Sequence, residues 1–407
     1  MNFRLYQRRT DWVLLLPALL LLLLGLVTVY SATHVAAGGA GLYFQRHLIY
    51  VGLGLAVFVF FFVLPLRLWE DWAYLVYGAA LLLLVLVLLV GDASHGSKRW
   101  FVVGPLRFQP SEFAKLALLA ALARYLGNKR VDLSRAGSVL IAFGLVALPM
   151  ALVLRQPDLS TAAAFPALAL PMLFFAGLSR MLLFVMLSPF VGLLLLQHHV
   201  LWAVFLLLSA VLFLRARLPW MVLGLFLILH AGLHWGAPRA IAQLEPYQQA
   251  RIHTFFDPGA DPSGTGWQVL QSRIAIGSGQ TLGKGYLQGS QKALAFLPMQ
   301  HNDFIFSVVG EEWGFIGAGL VVLLFLAFVL RAVQVATVCR SPFASLLLLG
   351  GGGLIFYHAA VNIAMTMGLF PVTGLPLPLL SYGGSFLLTV MAMIGQMGNA
   401  AVHRFDH

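Results

Sequence analysis

Residues Trp12–Ser31 read WVLLLPALLLLLLGLVTVYS and contain no charged side chain. A helix needs about 20 predominantly apolar residues to cross the hydrocarbon core of a bilayer, and this stretch has that length. It follows Arg4, Arg8 and Arg9 and lacks a clear small-residue cleavage site. The sequence therefore predicts a retained first span and not a removed signal peptide.

The same pattern recurs along the chain of 407 residues, of which 60% are hydrophobic and 10% are charged. A soluble domain carries about 25% charged residues, so lipid must solvate much of this surface. The predicted fold class is an all-α, polytopic transmembrane helical bundle of ten to twelve spans. The candidate spans are roughly 12–31, 47–66, 72–91, 112–127, 138–155, 159–178, 181–197, 200–214, 218–236, 304–330, 345–368 and 384–402.

The net charge of +11 is best explained by orientation in the membrane, because cytoplasmic loops are enriched in Lys and Arg. No basic strip interleaved with aromatic residues favours nucleic acid. The single cysteine, Cys339, excludes an internal disulfide. With the amino terminus inside, each of the alternate loops carries at least one cation, and the carboxyl terminus also lies inside. Those cations are Arg67, Lys129, Arg130, Arg135, Arg180, Arg215, Arg217, Arg331, Arg340 and, in the tail, Arg404.

Two loops on the predicted outer side are also basic, against the orientation bias. Residues 92–111 include Arg99 and Arg107, and the long loop 237–303 is rich in glycine. Long loops of this kind are usually functional, and cations with glycine N–H groups can bind a pyrophosphate. The cations of the long loop are Arg239, Arg251, Arg273, Lys284 and Lys292.

Ionisable side chains cluster near Arg99-Trp100 and in the segment FQPSEFAK, residues 108–115. Pro110 is predicted to open a helix, which places Glu112 and Lys115 on one helix face. They form either a charged wall of a substrate cleft or a self-neutralising structural pair. In the QPD segment, Asp158 could cap the next helix or pair with Lys115 or Arg155.

Two later segments combine polar and apolar residues at span boundaries. In HNDFIF, residues 301–306, His301 or Asp303 could touch substrate, although helix capping is favoured for Asp303. Glu312, in the helix that follows, could meet Lys115 or Arg124. The proline-rich segment 371–385 is tolerated at membrane depth only where protein or a cavity surrounds it. The glycines of residues 350–353 favour close helix packing.

In this order, FQPSEFAK, QPD, DPSGTGWQ (261–268), HNDFIF and LPLPLLSYGGS (375–385) resemble the SEDS family, which includes RodA and FtsW. The sequence VTGLPLP and the short basic tail are more similar to RodA than to FtsW. The resemblance runs from the first span to the last. It implies one SEDS-type membrane domain, residues 1–407, whose extracytoplasmic loop 237–303 carries the active site.

The resemblance implies a peptidoglycan glycosyltransferase of the bacterial cytoplasmic membrane that polymerises lipid II on the outer side of that membrane and acts in cell elongation and shape. A class B penicillin-binding protein is the implied partner. Asp261 is the implied catalytic residue; Asp257 lacks the pattern that follows it in the family. A divalent cation could help at the pyrophosphate, but no His/Asp cluster specifies a metal site. The expected substrate-binding residues are Arg99, Trp100, Glu112, Lys115, Asp158, Arg251, Arg273 and Lys284.

The chain departs from the family between Asp158 and Tyr247, where it has room for more spans, and residues 181–217 could be an inserted hairpin. Two other functions stay open. A transporter that flips lipid II needs a site near the membrane midplane, whereas the polar residues here crowd toward the outer side. A scaffold that only recruits the penicillin-binding protein would not explain the presence of Asp261 and the loop cations.

Overall fold

The protein is described by a computed structural model, which covers residues 9–34, 40–91, 99–103, 106–195, 198–216, 220–256, 264–289 and 301–406. Each of the twelve predicted apolar runs overlaps a described helix, so the all-α fold class is confirmed. The described helices are α1 Trp12–His34, α2 Ala40–Val63, α3 Leu66–Val90, α4 Pro110–Gly127, α5 Ala136–Leu154, α6 Leu159–Phe175, α7 Arg180–Leu195, α8 His199–Arg215, α9 Trp220–Ala242, α10 Pro246–Phe256, α11 Thr265–Ser278, α12 Ile305–Val338, α13 Pro342–Thr366 and α14 Gly384–Val402.

Among the described helices, α1, α2, α3, α5, α12, α13 and α14 are long and apolar enough to cross a membrane. The only strands of the described residues, β1 Phe101–Val103 and β2 Leu106–Phe108, pair antiparallel just before α4. Pro110 opens α4 as predicted. Within the predicted loop 237–303, the described residues include the end of α9 and all of α10 and α11.

The chain divides into two compact units. The smaller unit, Leu173–Gln249, has its own apolar core built from Val185, Phe213 and Phe226 of α7, α8 and α9. The two helices α7 and α8 occupy the region predicted as an inserted hairpin. The larger unit contains Met1–Met172 and Ala250–His407.

In the larger unit, α13 and α14 are the most enclosed spans. A Cβ atom on Gly350 would lie 2.5 Å from Leu119 Cδ1, and one on Gly351 would lie 2.6 Å from Met397 Sδ. The prediction that the glycines of α13 permit close helix packing is therefore confirmed. The proline-rich segment after α13 is also enclosed, since Leu375, Leu377 and Leu380 are buried, as its expected depth requires.

Both ends of the chain in the larger unit lie at one end of the helical bundle, here called the terminal end. Arg9 Nη1 donates to Asp406 Oδ1 at 2.6 Å, and Asp11 Oδ2 accepts from Arg331 and Arg404 at 2.7 Å. The opposite end, here called the site end, is where α4, α12 and α14 begin. The polar motif segments lie there.

Helix α12 is kinked at Gly314, whose φ of 63° and ψ of −159° are not helical. Segment 279–285 forms hydrogen bonds with backbone groups of α12 on both sides of this kink. Phe315 N donates to the Gln280 carbonyl at 2.8 Å, and Lys284 N donates to the Glu311 carbonyl at 3.0 Å. The kink is therefore a joint between α12 and the segment that follows α11, with its backbone groups satisfied.

We expect Gly283→Ala to destabilise this joint. Gly283 has a φ of +81°, and an added Cβ atom would lie 2.1 Å from the Glu312 carbonyl oxygen. Forced overpacking of this kind costs about 1–3 kcal/mol. Gly285→Ala is the matched control, because Gly285 also has positive φ, but its nearest neighbour is the flexible Gln288 side chain at 3.4 Å. Thermal unfolding in detergent should show a larger fall in melting temperature for Gly283→Ala than for Gly285→Ala. Equal falls would contradict the close contact at Gly283.

Candidate active site

Arg99 holds the QPD turn that precedes α6. Its Nε donates to the Gln156 carbonyl at 2.9 Å, its Nη2 donates to the Pro157 carbonyl, and its Nη1 lies 3.6 Å from Asp158 Oδ2. Asp158 Oδ1 accepts from Thr161 N at 3.1 Å, so the predicted capping role is confirmed. The predicted pairing of Asp158 with Lys115 or Arg155 is wrong, because Arg99 is its cation. Trp100 is half-buried and directly precedes β1.

Glu112 and Lys115 meet at the start of α4, with 2.8 Å between Glu112 Oε1 and Lys115 Nζ. The predicted pairing across one helix face is confirmed. Lys115 is fully buried, and its Nζ also lies 3.4 Å from His358 Nε2 of α13. Within the described residues, Glu112 Oε2 has no hydrogen-bond partner. A buried carboxylate oxygen of this kind requires a polar neighbour such as water or a ligand.

The segment 371–385 binds three other motif segments through its backbone and its serines. Ser160 Oγ donates to the Thr373 carbonyl at 2.8 Å. Ser381 Oγ donates to the Asn302 carbonyl at 2.7 Å, and Ser385 Oγ donates to the Arg107 carbonyl at 2.9 Å. Because these bonds join segments far apart in the chain, segment 371–385 organises the site end of the larger unit.

Arg251 and Arg273 line one small cavity of about 50 Å³ between α10, α11 and the start of segment 371–385. Arg251 Nη1 also donates to the Thr373 carbonyl at 3.3 Å, so it shares an acceptor with Ser160. Two guanidinium groups at one cavity can bind the oxygens of a phosphate or diphosphate. The structure thus brings together two cations that are 22 residues apart in the sequence.

Asp303 faces Arg251 and does not cap α12. The residue before α12 is Phe304, and no side chain caps that helix, so the prediction of a capping role for Asp303 is wrong. Burial raises the pKa of Asp303 to about 6, and the positive charge of Arg251 opposes that rise. A backbone contact fixes the position, because Asn362 Nδ2 donates to the Asp303 carbonyl at 2.9 Å. A carboxyl with a pKa near neutrality can exchange a proton at physiological pH.

We expect the stability of the protein to depend on pH through Asp303. The folded protein takes up this proton near pH 6, and the unfolded chain takes it up only near 3.8. Folded protein therefore binds more protons between these values, so stability falls as the pH rises from about 4 to about 6. The change should be about 1–3 kcal/mol. The measurement is the free energy of unfolding of both proteins from pH 4 to 8. Asp303→Asn should remove the fall in stability between pH 4 and 6. If that fall is the same in both proteins, Asp303 is not its cause.

Lys284 pairs with Glu311 of α12, with 2.8 Å between Nζ and Oε1. The neighbouring Glu312 accepts from Ser31 Oγ at 2.6 Å. The predicted contact of Glu312 with Lys115 or Arg124 is wrong, because Lys115 pairs with Glu112 and Arg124 donates to backbone carbonyls of α3. Lys284 is thus joined to the α12 kink, and its contact with substrate stays a prediction.

Asp261, the expected catalytic residue, lies outside the described residues, as do Asp257 and Lys292. Sequence reasoning did not single out His358 or Asn362, two buried polar side chains of α13 that contact Lys115 and Asp303. The available signal was weak. It consisted of two polar residues in an otherwise apolar run, and such residues tend to face a partner in the protein interior.

A protein-family model for FtsW, RodA and SpoVE, described as "Cell cycle protein", matches residues 11–202 and 180–405. The chain belongs to this family. The resemblance to SEDS proteins is therefore confirmed over nearly the whole sequence. The two matched ranges overlap at 180–202, which covers the first part of the predicted hairpin 181–217.

Named relatives of this SEDS protein cover almost its full length. It is 35% identical to the peptidoglycan glycosyltransferase MrdB of Escherichia coli K12, over 98% of this chain and 97% of that protein. It is 33% identical to the peptidoglycan glycosyltransferase RodA of Treponema pallidum, over 95% of this chain and 96% of that protein. The fold and the protein family thus rest on end-to-end similarity.

Solved structures support the same fold. The crystal structure of the rod shape determining protein RodA of Thermus thermophilus matches with a TM-score of 0.65 and 28% identity, over 98% of each chain. A chain of a peptidoglycan synthase complex, described as coordinating polymerization and crosslinking, matches with a TM-score of 0.72 and 29% identity. That match covers 98% of this chain and 99% of the other.

Proposed function

We propose that this protein is a peptidoglycan glycosyltransferase that polymerises lipid II into glycan strands and releases undecaprenyl pyrophosphate, for cell elongation and shape. Relatives that match end to end carry the name peptidoglycan glycosyltransferase. One structural observation supports the chemistry: Arg251 and Arg273 line one cavity beside Asp303, against segment 371–385. Cations held in a partly enclosed cavity suit the stabilisation of a departing diphosphate.

In the proposed reaction, the 4-hydroxyl of the GlcNAc of lipid II attacks the anomeric carbon of the MurNAc of the growing strand. The bond from that carbon to the pyrophosphate breaks as the new glycosidic bond forms, and the configuration inverts from α to β. Asp261 takes the proton of the attacking hydroxyl as general base. Arg251 and Arg273 balance the charge of the undecaprenyl pyrophosphate as it leaves.

The other expected substrate-binding residues receive supporting roles in this proposal. Arg99 and Asp158 fix the QPD turn. Ser160, just after this turn, donates to the Thr373 carbonyl, which also accepts from Arg251. Glu112 and Lys115 supply a buried polar wall, and Lys284 acts through the joint at α12. A divalent cation at the diphosphate is a separate hypothesis, which polymerisation with and without EDTA tests directly.

We further propose that the site end faces outward from the bacterial cytoplasmic membrane and that both termini are cytoplasmic. The terminal end supports this orientation, because it carries Arg9, Arg331, Arg340 and Arg404, and Lys and Arg are enriched on the cytoplasmic side. The proposed partner is a class B penicillin-binding protein. The structural match to a complex described as coordinating polymerization and crosslinking supports it.

The decisive experiment is polymerisation of labelled lipid II by the purified protein in detergent. Detergent micelles have no second compartment, so a transporter that flips lipid II would yield no glycan strands under these conditions. We expect strands that lengthen with time, measured by gel electrophoresis of the labelled products. A scaffold function also predicts no strands, so a folded preparation that never polymerises lipid II would reject the enzyme.

A further inference from the structure

The face formed by α1, α2 and α14 contains a large apolar slot that reaches from the terminal end to Leu379 of segment 371–385. Its volume is about 220 Å³, and its lining is almost entirely apolar. This feature does not take part in the proposed reaction. The lining includes Thr10, Trp12, Leu19 and Leu22 on the α1 side, Met391 of α14 and Leu379 of segment 371–385.

The slot has the length of one membrane leaflet. On α1 its lining runs from Trp12 to Leu22, which is about 15 Å of helix. The hydrocarbon core of a bilayer is about 30 Å thick, so each leaflet contributes about half of that. The slot therefore begins at the terminal end and finishes near the midplane.

The deep end of the slot is closed by segment 371–385. Leu379, which lines the slot, approaches α1 so closely that a Cβ on Gly25 would lie 2.2 Å from the Leu379 carbonyl oxygen. Leu379 adopts a φ of 65°, which is uncommon outside glycine. Backbone and side chain together block the passage toward the site end. An occupant must therefore enter from the terminal end or from the side.

The mouth of the slot lies beside a network of arginines. Asp11 stands between the lining residues Thr10 and Trp12, and it accepts from Arg331 and Arg404. Arg9 pairs with Asp406, and Arg340 donates to the carbonyl of Phe405. Among the described residues of this network, four arginines against two aspartates leave two positive charges. Positive charge at the headgroup level, above an apolar slot of leaflet length, is complementary to an anionic lipid.

We propose that this slot holds one acyl chain of an anionic phospholipid, whose phosphate binds the arginines at the terminal end. The acyl chain fills the apolar lining, which would otherwise face a poorly packed space in the membrane. Arg404 and Arg331 bind the phosphate while Asp11 fixes the orientation of their guanidinium groups. This lipid site is independent of the proposed glycosyl transfer.

The test is native mass spectrometry of the full-length protein with phosphatidylglycerol and phosphatidylcholine of identical acyl chains. Each arginine near a phosphate contributes about 1 kcal/mol, or about fivefold in affinity. We expect one phosphatidylglycerol to bind about 5- to 30-fold more tightly than phosphatidylcholine. Arg404→Gln should lower the phosphatidylglycerol affinity about fivefold and the phosphatidylcholine affinity by less, because the choline cation already offsets the phosphate charge and Arg331 still neutralises Asp11 in that variant.

Two neighbouring leucines of α1 provide a matched pair for the slot itself. Leu19 lines the slot, and Leu20 does not, although both side chains are exposed. Leu19→Trp should abolish tight binding of phosphatidylglycerol by filling the slot, while Leu20→Trp should leave it intact. Circular dichroism and size-exclusion elution check folding of every variant.

Three results would overturn the proposal. The first is equal affinity for phosphatidylglycerol and phosphatidylcholine, and the second is equal binding by Leu19→Trp and Leu20→Trp. The third is displacement of phosphatidylglycerol by undecaprenyl phosphate at equal concentration, which would assign the slot to a prenyl chain.

Discussion

We expect Asp261→Asn to reduce the rate of lipid II polymerisation by about 10²- to 10⁴-fold, the range that general bases contribute to catalysis. The substitution keeps the size of the side chain but removes its ability to take a proton at neutral pH. Lipid II binding should change little, because the cations Arg251 and Arg273 remain. The measurement is the initial rate of strand formation, together with lipid II affinity in the same detergent.

Asp257→Asn is the control for this prediction. Asp257 also precedes a proline and lies four residues before Asp261, but the GxGxQ pattern does not follow it. Both positions lie outside the described residues, so the comparison depends on the motif alone. We expect Asp257→Asn to retain most of its activity. Full activity of Asp261→Asn, in a preparation free of other polymerases, would reject Asp261 as the base.

The second large effect concerns the buried pair at the start of α4. Lys115→Met leaves Glu112 buried without its cation, and breaking a buried ion pair costs about 3–5 kcal/mol. The single variant should therefore unfold at much lower temperature or fail to accumulate. The double variant Glu112→Gln/Lys115→Met removes both charges and should recover most of the stability, since replacing a buried pair is often nearly neutral.

Activity of the double variant separates the two interpretations of this pair. If Glu112 and Lys115 form part of the substrate site, the stable double variant polymerises lipid II poorly. A purely structural pair predicts that polymerisation returns together with stability. Unfolding midpoints and strand-formation rates, measured on the same preparations, give both quantities.

Apolar run length was sufficient to predict the apolar helices, because lipid imposes a simple requirement on span length and on backbone hydrogen bonding. It did not predict α10 and α11, which lie within the predicted loop 237–303. Local spacing also predicted a contact correctly, because two residues three apart in a helix, such as Glu112 and Lys115, lie on the same face. Long-range pairing was not predictable in this way. Asp303 was expected at a helix cap and instead faces Arg251, which lies more than 50 residues earlier in the chain.

Buried polar residues of the spans were the other part that sequence reasoning missed. His358 and Asn362 occupy one face of α13, and their partners come from α4 and from the segment before α12. One sequence specifies which residues are polar, but it does not specify which helices are neighbours. Segment 371–385 was recognised by its prolines, yet its role in binding three other motif segments required coordinates.

The joint at Gly314 also restricts how this protein can move. Segment 279–285 is hydrogen-bonded to α12 on both sides of the kink, and Ser272 of α11 contacts Ser307 of α12 at 2.5 Å. These hydrogen bonds join α11 and segment 279–285 to the first turns of α12. Because the same segment is bonded to Glu311 before the kink and to Phe315 after it, bending α12 at Gly314 would break these hydrogen bonds, so the kink is braced and not free to act as a hinge.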